Sequence, residues 1–556
     1  MSEELFNATL SRRNALQLGA LAGAGAFALA GCSNEGRGGP VSTDGADLPL
    51  PNSKPYPQLD GMILSQVEGV PPAYTTLPSP GVQTVTDKPG KGGDISSLTI
   101  TWGPAPKLDS SNQWYAAVNA ALGATLKPIV VPAQSFGDRL VTTIASGDIP
   151  DITTNEPSYR GRGARKYLPQ GVFHDLRKFL GGDKVDAYPN LALVPAYAWQ
   201  NSLINGAVYG VPCYRNQTIG GTILYRSDWA AKGGFDGKPT TADELFRWLQ
   251  AMQSGGGKGS YPLATLDQTL GFCGKQVYKV PNTWRRDGNS LVAAHETDEY
   301  EAALAFAAKI WKAGLVHPNM LTLTPNPTEY QGQFYAGRVG FTNGSIDSYY
   351  GLTGQIAKLK ERDSAATADV LVPPGADGGV GMVPPDLGYY CMLSIPSSVT
   401  DEERIHELLG IINYLAAPMG SQEYLLVHYG VEGHNYTMEN GLPKANTDAD
   451  LATESFLSML GSFSNGFFFP GAPADDAATC QRYAEQMVAA FVPNPANGLD
   501  SEASFSKGDA LAAMILDYEG AIVTGRRPVS DVADLRSRWK ASGGDQMRRE
   551  LESQLS

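Results

Sequence analysis

The chain has 556 residues, with 43 Lys and Arg against 57 Asp and Glu and a formal net charge of −14. That acidic balance argues against a nucleic-acid partner, which would call for a basic surface. Gly and Pro make up about 18% of the chain, below the range of low-complexity disorder. The chain is expected to fold, and its length exceeds one ordinary core, which suggests two lobes.

Arg12-Arg13 precede an apolar run from Leu18 to Gly31 made largely of Ala and Gly. A bilayer-crossing helix needs roughly 20 predominantly apolar residues, so this shorter run reads as a cleaved export signal. Leu29-Ala30-Gly31-Cys32 resembles the lipobox of bacterial lipoproteins, with small Ala30 and Gly31 fitting a narrow protease site beside a nucleophilic thiol. The resemblance implies a signal peptide over 1–32 and an acylated Cys32. Stable tethering takes more than one acyl chain, and the family modification supplies several. The expected location is the outer face of the bacterial cytoplasmic membrane. Ser11-Arg12-Arg13 also resembles a twin-arginine signal, but Ala15 stands where a bulky apolar residue is usual, and the export route stays open. Cys213, Cys273, Cys391 and Cys480 show no CxxC or zinc spacing; an oxidising compartment permits two bridges, and buried free thiols are the favoured reading.

Residues 33–94 are rich in Gly, Pro, Ser and Thr and show no sustained period. They read as a tether with an end-to-end distance of roughly 40 Å; the competing reading packs "LDGMILSQVEG" onto the body. An α/β alternation follows: strand 98–102, helix 112–122, strand 128–131, helix 136–146 ended by Gly147, and strand 151–154. This spacing implies a parallel sheet, whose ligands sit beyond the carboxyl ends of the strands. Trp102, Asn155 and Glu156 are thereby expected on one crevice rim.

Three later helices have readable ends. Thr241 to Glu244 and Thr400 to Glu403 fit capping boxes. A third helix runs from about Asp298 to the Gly314 and Pro318 stops, with an apolar stripe at Leu304, Ala307, Ala308 and Trp311. The six histidines are scattered, and His295-Glu296 is not followed by the second histidine of a zinc-protease helix. No metal and no cofactor is expected. There is no G-x-S-x-G elbow, the glycines at 255–259 lack Walker spacing, and Asp448 and Asp450 lack the glycine of a calcium loop. Glu156, Asp347 and Glu432 are candidate members of a glycosidase carboxylate pair, a geometry that sequence does not display.

Several segments together resemble the extracellular solute-binding proteins of carbohydrate ABC importers, within them the lipo-oligosaccharide-binding subgroup: "SGDIPDITT" (146–154), "NGAVYGVP" (205–212), "ILYRSDWAAKGGFDGKPTTADEL" (223–245), "YEAALAFAAKIWKAGLVHPNM" (300–320), "YGVEGHNY" (429–436) and "GRRPVSDVADLRSRWKASGGDQMRRE" (525–550). The resemblance implies an α/β, two-lobed periplasmic-binding-protein-like fold of type II, with discontinuous lobes, hinge crossings near 218–224, 388–395 and 425–435, and a ligand cleft between the lobes. The implied parts are 95–219 and 391–430 for the first lobe, and 220–390 with most of 431–556 for the second. It further implies an oligosaccharide ligand, delivery to ABC permease subunits in the membrane, no catalysis, and a monomer.

A pyranose offers a flat C–H face and a rim of hydroxyls, so aromatic rings beside fixed polar groups suit it. Trp102, Tyr214, Trp284 and Tyr389 are candidate platforms, with Tyr159, Tyr349, Tyr350 and Tyr390 also available. Asn155, Glu156, Arg215, Asn343, Asp347 and Asn435 are candidate hydroxyl binders. The expected ligand residues are Trp102, Asn155, Glu156, Tyr214, Arg215, Trp284, Asn343, Asp347 and Tyr389. A surface glycosidase or lyase and a binder of another solute, such as a peptide, are the competing functions.

Overall fold

The computed structural model describes residues 48–78, 81–101, 107–109, 111–156, 167–324, 327–446, 455–462, 465–473 and 475–555. Cys32, Trp102 and Tyr159 lie outside the described residues. Two separate sheets organise the chain. The first has five strands in the order Thr125–Pro132, Asp94–Thr101, Ile152–Asn155, Tyr389–Ser394 and Val211–Tyr214. The three strands from the α/β run pair in parallel, as their spacing predicts. Tyr389–Ser394, arriving from far along the chain, pairs antiparallel with both its neighbours.

The parallel strands need helical crossovers, and both form where the periodicity places them. Gln113–Leu122 starts at Asn112, whose side chain accepts from the Tyr115 N–H, and ends at Gly123. Phe136–Ser146 ends at Gly147, whose φ of 76° is a conformation that glycine adopts without strain. The two helices feed opposite faces of the sheet. Trp114, Val118 and Leu122 enter one core with Leu126, Leu393 and Leu408, while Phe136, Leu140 and Ile144 enter the other with Leu98 and Ile100.

The second sheet is antiparallel, with Ile223–Arg226 between Phe341–Thr342 and Ala368–Leu371. Trp248, from the Ala242–Gly256 helix, packs between Tyr225 and Phe341 at ring-centroid distances of 4.8 and 5.5 Å. The chain leaves the first sheet after Tyr214, enters the second at Ile223, and returns between Leu371 and Tyr389. Two α/β lobes with discontinuous chain result, as expected. At the first crossing Gly221 has φ +90°, and a Cβ there would lie 2.4 Å from Val383 Cγ1 on the returning crossing. Only glycine allows the two crossings to pass this closely.

Three boundaries differ from the sequence reading. The second crossing lies before Tyr389 and not at 388–395, because Tyr389–Ser394 is already a strand of the first sheet. Phe456, Leu457 and Leu460 still pack in the first-lobe core, with Phe456 edge-on to Trp114, whereas Cys480, Ala484 and Met487 pack with the second sheet. The third crossing therefore follows residue 460 and does not fall at 425–435. The 48–93 part of the expected tether is also packed chain. Met62, Tyr74 and Leu77 cluster with Met419 and Tyr424, and the buried Glu423 carboxylate accepts the N–H groups of Thr84 and Val85 at 2.9 and 2.8 Å. Scattered apolar residues without a period bury themselves on a surface presented by distant chain, a context that local pattern does not contain. Cys213, Cys273, Cys391 and Cys480 are buried free thiols.

Candidate ligand site

Beside the crossings lies a cavity of about 820 Å³, its wall including Gly221 and Thr222 from one crossing and Met382 and Pro384 from the other. That volume falls in the range of small-molecule sites, about 300–1,000 Å³. Asp500 joins the wall and accepts the Asn205 N–H of the first lobe at 2.6 Å, so both lobes meet at the cavity's edge.

Three elements supply the remaining wall. Asp267–Gln276 is a π-helix, a wide turn that recurs at functional sites, and it presents Asp267, Lys275 and Gln276. The hairpin of Trp284–Asp287 and Ser290–Ala293 turns at Gly288-Asn289 and presents Trp284. Helix Glu502–Val523 presents Ser504 and Glu519. The Trp284 ring meets Trp539 edge-on at 5.9 Å, and Trp539 meets the His295 ring at 4.5 Å. Trp284, Tyr300 and Trp539, each buried, thus back the cavity wall with aromatic rings.

The polar groups of the wall are held in place. Lys275 Nζ lies 2.6 Å from Glu519 Oε1, and the Tyr300 hydroxyl donates to the same carboxylate at 2.7 Å. Burial first, then the Glu519 charge, pushes the Tyr300 phenol well above its ordinary range. Asn343 Nδ2 donates to Asp267 at 3.0 Å while its Oδ1 accepts from Gln268 at 2.7 Å. Asp267 is open to the water of the cavity but surrounded by protein; that desolvation raises its carboxyl, with Lys275 and Asn343 pulling the other way. Burial holds His295 neutral, its imidazole lowered to about 4. The buried atoms Gln276 Oε1 and His295 Nε2 have no protein partner.

Of the residues expected to bind ligand, this cavity brings together Trp284 and Asn343. Asn155, Glu156, Tyr214 and Tyr389 are buried and lie off its wall. Asn155 Nδ2 donates to Ser394 Oγ at 2.8 Å, the Tyr214 hydroxyl donates to Asn216 at 2.8 Å, and the Tyr389 hydroxyl donates to the Asn201 carbonyl at 3.2 Å. The Arg215 guanidinium pairs with Asp386 through Nε at 3.0 Å and Nη2 at 2.5 Å, and sits over the Tyr390 ring at 5.1 Å. Asp347 is exposed on the short Ile346–Tyr349 helix. Residues that the sequence reading did not select include Asp267, Lys275, Gln276, His295, Tyr300, Glu519 and Trp539. One signal was available for the hairpin: Gly288-Asn289 between short runs marks a turn. Trp539 lies within the 525–550 stretch that carried the family resemblance.

This fold is that of a binding protein with two α/β lobes. The family described as bacterial extracellular solute-binding protein matches residues 113–431, and the chain belongs to that family. Lipoprotein LipO of Bacillus subtilis (strain 168) is 24% identical over 491 residues, covering 84% of this chain and 93% of LipO. The polygalacturonan/rhamnogalacturonan-binding protein YtcQ of the same organism is 23% identical over 486 residues, covering 83% and 92%. Among solved structures, an extracellular solute-binding protein from Bifidobacterium longum subsp. infantis superposes with a TM-score of 0.63 at 17% identity, covering 83% of this chain and 97% of that one. No described helix is long and apolar enough to cross a membrane.

Proposed function

We propose that the protein captures an oligosaccharide outside the cell, leaves its bonds intact and delivers it to the permease of an ABC importer, held at the membrane by an acylated Cys32. The observation that carries this reading is the cavity beside the crossings. There the rings of Trp284, Tyr300 and Trp539 stand next to the polar groups of Asp267, Gln276 and Asn343. Apolar ring faces suit the C–H face of a sugar, and fixed donors and acceptors suit its hydroxyls. Charged hydrogen bonds are worth roughly 1.5–3 kcal/mol each, and a micromolar complex needs about 8 kcal/mol in total, so a few such contacts suffice. The name of YtcQ supports a glycan ligand.

Binding would act through closure. A ligand touched by both lobes favours the closed arrangement by its extra contacts there, and the closed form is what a permease would recognise. Thr222, Met382 and Pro384 belong to the crossings and also line the cavity, so occupancy and crossing geometry would be coupled. Asn155, Glu156, Tyr214, Arg215, Asp347 and Tyr389 remain candidates for contacts made from outside this wall, as does Trp102.

The test is a thermal-melting screen against oligosaccharides of defined linkage, with reducing ends assayed in the same samples. A rise in Tm for some glycan with no new reducing ends is the expected result. A panel that leaves Tm unmoved counts against the sugar, and steady release of fragments counts for a glycosidase.

A further inference from the structure

We infer that the cavity selects a sugar unit without a carboxylate and rejects uronates. This rests on the proposed glycan reading and narrows it. The described wall carries the carboxylates of Asp267 and Glu519 against one ammonium, Lys275, while Asp500, also on the wall, is engaged by the Asn205 N–H. That ammonium already lies 2.6 Å from Glu519. A uronate entering here would meet the Asp267 carboxylate at short range and find no uncommitted cation on the described wall.

Hydrogen-bond inventory points the same way. Gln276 Oε1 is a buried acceptor with no protein partner, and the carboxylates are acceptors too, so the wall calls for donors. A sugar hydroxyl donates a proton while accepting through its oxygen, whereas an ionised carboxylate only accepts. His295 Nε2 is a second buried atom without a partner, on a side chain 5% exposed and packed against Trp539. The neutral imidazole satisfies a hydroxyl in either tautomer. Exchanging one ring hydroxymethyl for a carboxylate therefore replaces a matched group by a mismatched, repelled one.

The test uses matched pairs on the full chain, by calorimetric titration and Tm shift. α-1,4-Tetragalacturonate is set against its carboxyl-reduced counterpart, and tetramannuronate against mannotetraose, beside neutral gluco- and xylo-oligosaccharides. Binding by at least one neutral oligosaccharide and by no uronate is the expected result. Gln276→Leu should weaken that neutral ligand about three- to tenfold. Asp267→Asn should narrow the gap between neutral and acidic members; the wild-type pairs decide the question even where a variant does not fold. A uronate that binds as tightly as its reduced partner overturns the inference and leaves the sugar reading standing. A panel in which neither class binds removes both.

Discussion

His295 and His428 are each kept neutral by burial, which lowers both imidazoles to about 4. Glu296 pulls the His295 value upward, while Arg536 and Arg548 lower it. An unfolded histidine titrates near 6.5, so below that pH the unfolded chain takes up protons that the native fold refuses. The stability from each residue is complete above about pH 6.5 and is lost as pH falls from there toward 4, at up to about 1.4 kcal/mol per pH unit and residue. Thermal denaturation from pH 7.5 to 4.5 should show a falling Tm, and His428→Gln, remote from the cavity, should flatten part of the fall. An unchanged slope in that variant would contradict the assignment. Neither role was legible in the sequence, which shows six scattered histidines and no neighbours in space.

Element ends were read better, because capping chemistry is local. Thr241 caps Ala242–Gly256, its hydroxyl accepting from the Glu244 N–H at 3.2 Å. The returning half of the box is displaced by one residue, since Glu244 accepts from the Thr240 N–H at 2.9 Å and the Thr240 hydroxyl at 2.6 Å. At the second site the cap is Asp401, not Thr400; its carboxylate accepts from the Glu403 N–H, and Glu403 is drawn instead into an ion pair with Lys91 at 2.8 Å. Thr241→Ala should therefore cost about 0.5–2 kcal/mol, measured by denaturant titration, while Thr400→Ala should stay within about 0.5 kcal/mol. The π-helix Asp267–Gln276 was missed for the opposite reason. Its buried Gln268, Thr269, Leu270, Phe272 and Cys273 match neither the period of an amphipathic α-helix nor the alternation of a strand.

Over the whole molecule, the 48–93 segment spans both lobes. It reaches the first through Lys54, which pairs with Asp186 at 2.7 Å, and through Glu423. It reaches the second through Gln481, whose Nε2 donates to the Ile63 and Pro71 carbonyls at 2.9 and 3.1 Å. Removing residues 48–93 would uncover Met419 and Tyr424 and leave the buried Glu423 carboxylate without its two N–H donors. The shortened protein should melt earlier and bind a hydrophobic dye more strongly than the full chain. Equal melting would show that the segment contributes nothing to stability.

The sequence by itself determined what depends on neighbours along the chain. The first three strands and their two crossover helices follow from periodicity and from the stop at Gly147. Family motifs set the two-lobed class, and the chemistry of a sugar, a flat C–H face with a rim of hydroxyls, picked out Trp284 and Asn343 among the candidates. Tertiary structure alone decided which distant stretches share a wall. Asp267, Trp284, Glu519 and Trp539 line one cavity although most of the second lobe's chain separates the first from the last. It also committed Arg215 to Asp386 and folded the expected tether onto the body. Hydrogen bonding within an element acts over a few residues, whereas burial and ion pairing act through space wherever the fold brings groups together.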